Sequence, residues 1–176
     1  MFRDLKNFAV IALLLVVGCT DSRHRLAGVY SNELGEFSAS SIALSREGFC
    51  LFAIAVGGLC GSWEEVSGSD CDFVHLRLVD MTRHSEVREY SALLRIEPKD
   101  RTLQLVSITN TLDAALSSYA KHGATALANR EGKYRFVTNA IPDEISAILA
   151  RFPENLEHAK MRAETFHRRK EEGTAR

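Results

Sequence analysis

From Gly28 to Asn110 short apolar runs alternate with turn residues, and inside several runs apolar and polar side chains alternate one for one. A period of two sends successive side chains to opposite faces of a strand, so this stretch predicts antiparallel β-structure. The runs also agree in register. A turn at Gly57-Gly58, a pair suited to the positive φ angles of a two-residue hairpin, sets Phe52 opposite Trp63, Ile54 opposite Gly61 and Val56 opposite Leu59. A turn at Ser67-Gly68-Ser69-Asp70 sets Trp63 opposite Val74, Gly61 opposite Leu76 and Leu59 opposite Leu78. A three-residue turn at Arg46-Glu47-Gly48 sets Ile42 opposite Phe52 and Leu44 opposite Cys50. One face then stays apolar across four strands, and a slip of one residue in any of them would break the agreement.

The reverse face is mixed and reads as half solvated: Cys60, Ser62 and Glu64 on one strand, Phe73, His75 and Arg77 on the next. A further hairpin turns at Pro98-Lys99-Asp100-Arg101, with Tyr90, Ala92, Leu94 and Ile96 on one face with Leu103 and Leu105. The predicted fold class is α+β: an antiparallel β-meander of about six strands, curled, followed by C-terminal helices. Gly61, between large neighbours, predicts a bend or a close approach of backbone.

After Asn110 the period changes. Leu112, Ala115, Leu116 and Tyr119 stand at helical spacing and Gly123 is a C-terminal stop. Lys133 to Thr138 reads as one more strand. Pro142-Asp143-Glu144 opens a helix with proline and acids in its first turn, and Ile145, Ile148 and Leu149 are its apolar members. Pro153 is expected to separate it from a last helix, whose narrow stripe is Leu156, Ala159, Ala163 and Phe166.

The amino terminus follows another pattern. Arg3 and Lys6 precede an unbroken apolar run, Phe8 to Val17, that ends at Gly18-Cys19. This run is too short to span a bilayer, which takes about 20 residues. Basic start, short apolar centre and small-residue end together predict a secretory signal.

Leu15-Val16-Val17-Gly18-Cys19 resembles the lipobox of bacterial lipoproteins. The resemblance implies cleavage before Cys19, a diacylglycerol on its sulfur and a further acyl chain, such as palmitate, on its new amino group. Several chains anchor far more firmly than one, since each buried methylene contributes about 0.8 kcal/mol. Thr20 beside the cysteine, with Asp21 one residue later, implies the outer membrane, facing the periplasm. The expected division is a signal peptide at 1–18, lipidated cysteine and tether at 19–27, a β-rich domain with one helix at 28–140, and C-terminal helices at 141–176.

Composition narrows the function. The 176 residues carry 22 basic and 23 acidic side chains, and 20 against 22 once residues 1–18 are removed with Arg3, Lys6 and Asp4. A net charge this close to zero gives no general attraction to nucleic acid. Apart from Cys19 there are three cysteines, Cys50, Cys60 and Cys71, an odd number for an oxidising compartment. In the register above, Cys50 and Cys60 point to opposite faces, as do Cys60 and Cys71. Cys50 and Cys71 stand two strand spacings of about 4.8 Å apart, beyond the reach of about 7 Å for a bridge. A Cys50–Cys71 disulfide therefore requires a distortion near Glu65-Val66, and both outcomes stay open.

The six histidines form no zinc-helix spacing and no Cys-x-x-Cys joins them, so neither a metal nor another cofactor is expected. His75 and Arg77 can line a polar groove, although solvated placement is the default. Gly61-Ser62-Trp63 lacks the strand-to-helix turn of a nucleophile elbow. Glu64, Glu65, Asp70 and Asp72 cluster near one turn, where paired acids could hydrolyse glycosides or hold calcium, yet a solvated turn is the simpler reading. No enzymatic activity is expected.

Gly28-Val29-Tyr30, the Ile42–Leu51 hairpin and Gly61-Ser62-Trp63 resemble the opening of small lipocalin-like bacterial lipoproteins, over residues 26–80. That resemblance implies a curled sheet, in some members with an apolar cavity, here lined by Phe52, Ile54, Trp63, Val74 and Leu76. The leading expectation is a non-enzymatic, membrane-anchored periplasmic lipoprotein that binds another envelope component. The alternatives are an inhibitor or immunity protein against a cell-wall hydrolase, using the turn from Ser67 to Asp72 as a plug, and a carrier of a small apolar ligand.

Overall fold

A computed structural model describes residues 23–32, 40–54, 57–68, 70–97, 99–123 and 132–174. The signal segment and Cys19 lie outside the described residues. Eight strands follow in chain order: β1 (Gly28–Asn32), β2 (Ser40–Leu44), β3 (Phe49–Ile54), β4 (Gly57–Ser67), β5 (Asp72–Asp80), β6 (Arg88–Glu97), β7 (Thr102–Thr109) and, after helix α1 (Leu112–His122), β8 (Lys133–Thr138). Helix α2 (Asp143–Thr174) ends the described chain. Each strand pairs antiparallel with its chain neighbour, and β8 pairs with β1 through Tyr30↔Phe136, so the sheet is a closed barrel.

The α+β class and antiparallel pairing stand, but the strand count is corrected from about six to eight. Five residues suffice for β1 and six for β8 because each lies between two partners and neither has to stand as an open edge. Strands this short carry little period-two signal of their own.

The register of β2 on β3 is as read from the sequence, with Ile42↔Phe52 and Leu44↔Cys50. The next two are corrected. Phe52 pairs with Leu59 rather than Trp63, and Trp63 with Leu76 rather than Val74. Gly57 and Gly58 belong to β4, opposite Ile54 and Ala53, and so are not the turn themselves. Both shifts are even, and an even shift keeps every side chain on its face. Gly61 confirms the expected close approach: a Cβ there would stand 1.9 Å from the carbonyl oxygen of Arg77.

The inner face is filled. Tyr30, Ile42, Leu44, Val74, Leu76, Leu94 and Leu103 are all fully buried in one cluster with Trp63 and Tyr134. The fully buried side chains leave no accessible area, while Phe52, Ile96 and Leu105 of the same cluster keep 9%, 7% and 8%. One end of the barrel carries the β2–β3, β4–β5 and β6–β7 turns. There residues 23–26 form a helical turn within the segment read as tether, and Leu26 enters the core. The Tyr30 hydroxyl donates to the Leu26 carbonyl at 2.7 Å, and the Trp63 indole Nε1 to the Ser45 carbonyl at 2.8 Å. The Arg101 guanidinium stacks 3.5 Å over the Phe136 ring and donates to the Arg25 carbonyl at 2.6 Å.

Two helices cover apolar patches on the outer face. Thr111 caps α1, its hydroxyl accepting from the Ala114 N–H, and Gly123 ends it at φ 61°, as expected from the sequence. Ala115, Leu116 and Tyr119 of α1 pack on Phe73, Leu93 and Val106. Helix α2 packs on β3 and β4, with the Phe152 and Phe49 rings 6.1 Å apart. It is continuous through Pro153, which corrects the expected break. Leu149 and Phe152 are buried while Pro153 is exposed, so packing holds the helix where the missing N–H faces water. Among the described residues no helix is long and apolar enough to cross a membrane.

Candidate functional site

Between the two helices the outer faces of β4, β5 and β6 present polar side chains. The register sets Ser62 opposite Arg77, Glu64 opposite His75, and Arg77 opposite Ser91. His75, expected at a solvated position, is only 3% exposed. Its Nδ1 stands 3.1 Å from Glu64 Oε1 and its Nε2 3.2 Å from Ser91 Oγ. An ionised carboxylate only accepts, so in the neutral imidazole Nδ1 carries the proton, and Nε2 accepts from the Ser91 hydroxyl.

Acid, imidazole and hydroxyl in one line are the parts of a nucleophilic relay. The order of exposure here is the reverse of what that chemistry needs. The Glu64 side chain is 55% exposed while Ser91 is 6% exposed. The line therefore locks the ring in place and offers the carboxylate, not the hydroxyl, to solvent.

A groove of about 260 Å³ opens beside this line, bordered by Arg23, Glu47, Ser62, Glu64, His75 and Arg77. The Arg23 guanidinium lies over Gly48, where a Cβ would come within 3.1 Å of Nη1. Hydrogen bonds from its own backbone N–H and from Ser45 hold the Glu47 carboxyl below the usual range. Two cations and two carboxylates make a surface suited to polar, mixed-charge contacts and not to a bare anion. A neighbouring groove of about 390 Å³ shares Glu47 and Phe49 with it and runs to Ile141, Leu149 and Ala150 at the start of α2.

The residues expected to line an apolar pocket, Phe52, Trp63, Val74 and Leu76, do converge inside the barrel, but as packed core. The side chain of Ile54 lies outside the described residues. Cys50 and Cys71 do not come together. Cys50 is buried in the core with its Sγ 3.5 Å from the Ser62 carbonyl. Cys71 lies outside the barrel against α1, 3.5 Å from the Tyr119 hydroxyl, and Cys50, Cys60 and Cys71 are all free. The acids disperse: Glu65 pairs with Arg25 at 3.1 Å, while Asp70 and Asp72 are exposed. Among the described residues no three His, Cys, Asp or Glu side chains are placed to hold a metal.

Sequence reasoning missed Ser91 as the partner of His75. The outward position of Ser91 on the strand after His75 was the available signal, readable only with the register of β5 on β6 in hand. Comparison with protein-family models, curated proteins and solved structures finds no match for this chain.

Proposed function

We propose that this chain is a lipid-anchored, non-enzymatic protein of the bacterial envelope. Cys19 carries the acyl chains, the barrel faces the periplasm from the outer membrane, and the outside of the barrel binds another envelope component. The filled interior carries this reading. A ligand seated between Phe52 and Trp63 would have to displace side chains that are 9% and 2% exposed, which favours recognition at the solvent-facing grooves, one of them, of about 260 Å³, opening beside Phe52, Gly58 and Leu59 at the barrel mouth. The carrier alternative is confined to that groove beside Phe52.

Two measurements test the proposal together. Feeding cells an alkyne fatty acid should label the protein and fail to label Cys19→Ala; an unlabelled native chain overturns the anchor. A photo-crosslinking amino acid at Arg77 in living cells should trap one defined envelope component. Native mass spectra showing a stoichiometric apolar ligand on the purified protein would instead restore the carrier.

A further inference from the structure

Helix α2 extends past the surface that covers it. From its start to Ala159, Leu149, Phe152 and Ala159 are 3%, 5% and 3% exposed against the barrel. The stripe continues at helical spacing through Ala163 to Phe166, but Met161 and Phe166 are 54% and 46% exposed. These two border a groove of about 350 Å³ together with His84 of the β5–β6 connection, Arg162, Thr165 and Arg169. Three basic side chains, two large apolar ones and one hydroxyl line it, and no carboxylate does. At 3.6 residues per turn, Glu157, Glu164 and Glu171 form one stripe that flanks Met161, with Glu157 paired to Lys160 at 3.1 Å, and Glu172 falls on the groove side one turn beyond Arg169. Two exposed apolar side chains beside cations on a concave surface offer a partner both apolar and ionic contact.

We propose that this groove receives an acidic segment of a partner protein that inserts an apolar side chain between Met161 and Phe166. The complement of its lining is a carboxylate on each side of a leucine or phenylalanine, the carboxylates meeting Arg162 and Arg169. The choice of a protein over a lipid surface rests on the anchor proposed above. Arg23 lies at the turn end of the barrel, four residues from Cys19, and four residues span at most about 14 Å. His84 lies at the other end, in the connection between β5 and β6. An anchor at the turn end turns this groove away from its own membrane and toward the periplasm.

The probes are two synthetic peptides with the same leucine and phenylalanine positions, one flanked by glutamate and the other by lysine. Binding to the full mature chain is read by fluorescence anisotropy, with and without acylation at Cys19. The acidic peptide should bind at least tenfold more tightly, and Arg162→Glu with Arg169→Glu should remove that preference. Phe166→Ser should weaken the acidic peptide at least fivefold while leaving the salt dependence in place. Circular dichroism checks that both variants remain folded. Equal binding of the two peptides, or a preference that survives the double charge reversal, overturns the proposal. So does binding of the unacylated chain to phosphatidylglycerol vesicles that depends on Arg162, Arg169 and Phe166, which would assign the groove to a membrane. A peptide preference without acylation at Cys19 refutes the anchor alone, and acylation without the preference refutes the groove alone.

Discussion

Trp63 and Ser45 are joined by a 2.8 Å hydrogen bond from the indole Nε1 to the backbone carbonyl, at the end of the barrel where Leu26 enters the core. The same carbonyl accepts the Gly48 N–H at 3.2 Å, so one side chain ties the β2–β3 turn to the interior. Trp63→Phe keeps most of the apolar volume and loses the bond. It should destabilise the fold by about 1–2 kcal/mol. Trp63→Ala adds a cavity and should cost about 3–5 kcal/mol. Urea unfolding of the two variants measures both effects, and a Trp63→Phe variant as stable as the parent would mean the hydrogen bond contributes nothing.

Gly61 lies where β4 runs closest to β5. A Cβ would meet backbone, the Arg77 carbonyl oxygen at 1.9 Å and its carbon at 2.8 Å, and backbone cannot swing aside as a side-chain tip can. Gly61→Ala should therefore destabilise by about 1–3 kcal/mol or more. Gly57→Ala meets nothing within 4 Å and strains only φ, so it should cost less. Urea midpoints of the pair rank the two effects.

The faces of the barrel strands were legible in the sequence, because any register shifted by an even number keeps Phe52, Trp63, Leu76 and Leu94 inward. The register itself was less so. Gly57-Gly58 has the chemistry of a hairpin turn, yet pairs within β4, and a local preference yields when the whole sheet gains by pairing further. Closure was not legible at all. It depends on β1 meeting β8 across more than a hundred residues, and no local period reports such a contact. The His75 groove was half legible. Glu64, His75 and Arg77 stood on one outward face of the sequence pattern, whereas Ser91 required the pairing of a further strand. Helix α2 misled for a definite reason: proline signals a break in an isolated helix, and here Phe152 before it and Ala159 after it are both buried against the barrel.

Pro153 leaves one carbonyl of α2 without its intrahelical donor and costs a helix interior about 3 kcal/mol relative to alanine. Its exposure means that alanine can replace it without disturbing the packing of Phe152 on Phe49. Pro153→Ala should raise stability by about 1–3 kcal/mol with little change in helical circular dichroism, since the helix is already continuous. A large gain in helical signal would show that the segment is broken in solution.

The thiols should separate by accessibility. Burial pushes both the Cys50 and Cys60 thiols up from their ordinary value, Cys50 the more strongly. Cys50 lies in the core, while Cys60 and Cys71 are half-buried. In native protein at pH 8 an aromatic disulfide reagent should modify Cys71 first, Cys60 more slowly and Cys50 only on unfolding. Denaturant should release three free thiols besides Cys19. A total of one would establish a bridge that this arrangement does not contain.

Alkaline pH should unfold the barrel through its buried phenols. Burial raises the Tyr30 phenol above its ordinary value of 10.0, with Arg101 and Arg25 opposing in part, and burial raises Tyr134 against the opposing hydrogen bond with Ser40 at 3.1 Å. Each raised group contributes stability that is complete below pH 10 and is lost as pH climbs through its folded value, because the unfolded chain releases its proton first. The sign is negative: above pH 10 the unfolded state binds fewer protons, and stability falls by at most about 1.4 kcal/mol per pH unit for each group. The Cys50 thiol adds a loss that begins earlier, from an ordinary value of 9.0. Tyr134→Phe removes one of these groups. At pH 7 it should be less stable than the parent by about 0.5–1.5 kcal/mol, for the lost bond to Ser40. Between pH 9.5 and 11 its stability should fall less steeply, so the two curves of urea midpoint against pH converge. Parallel curves would mean that Tyr134 ionises as readily in the barrel as in the unfolded chain, and that water reaches the interior beside Phe52.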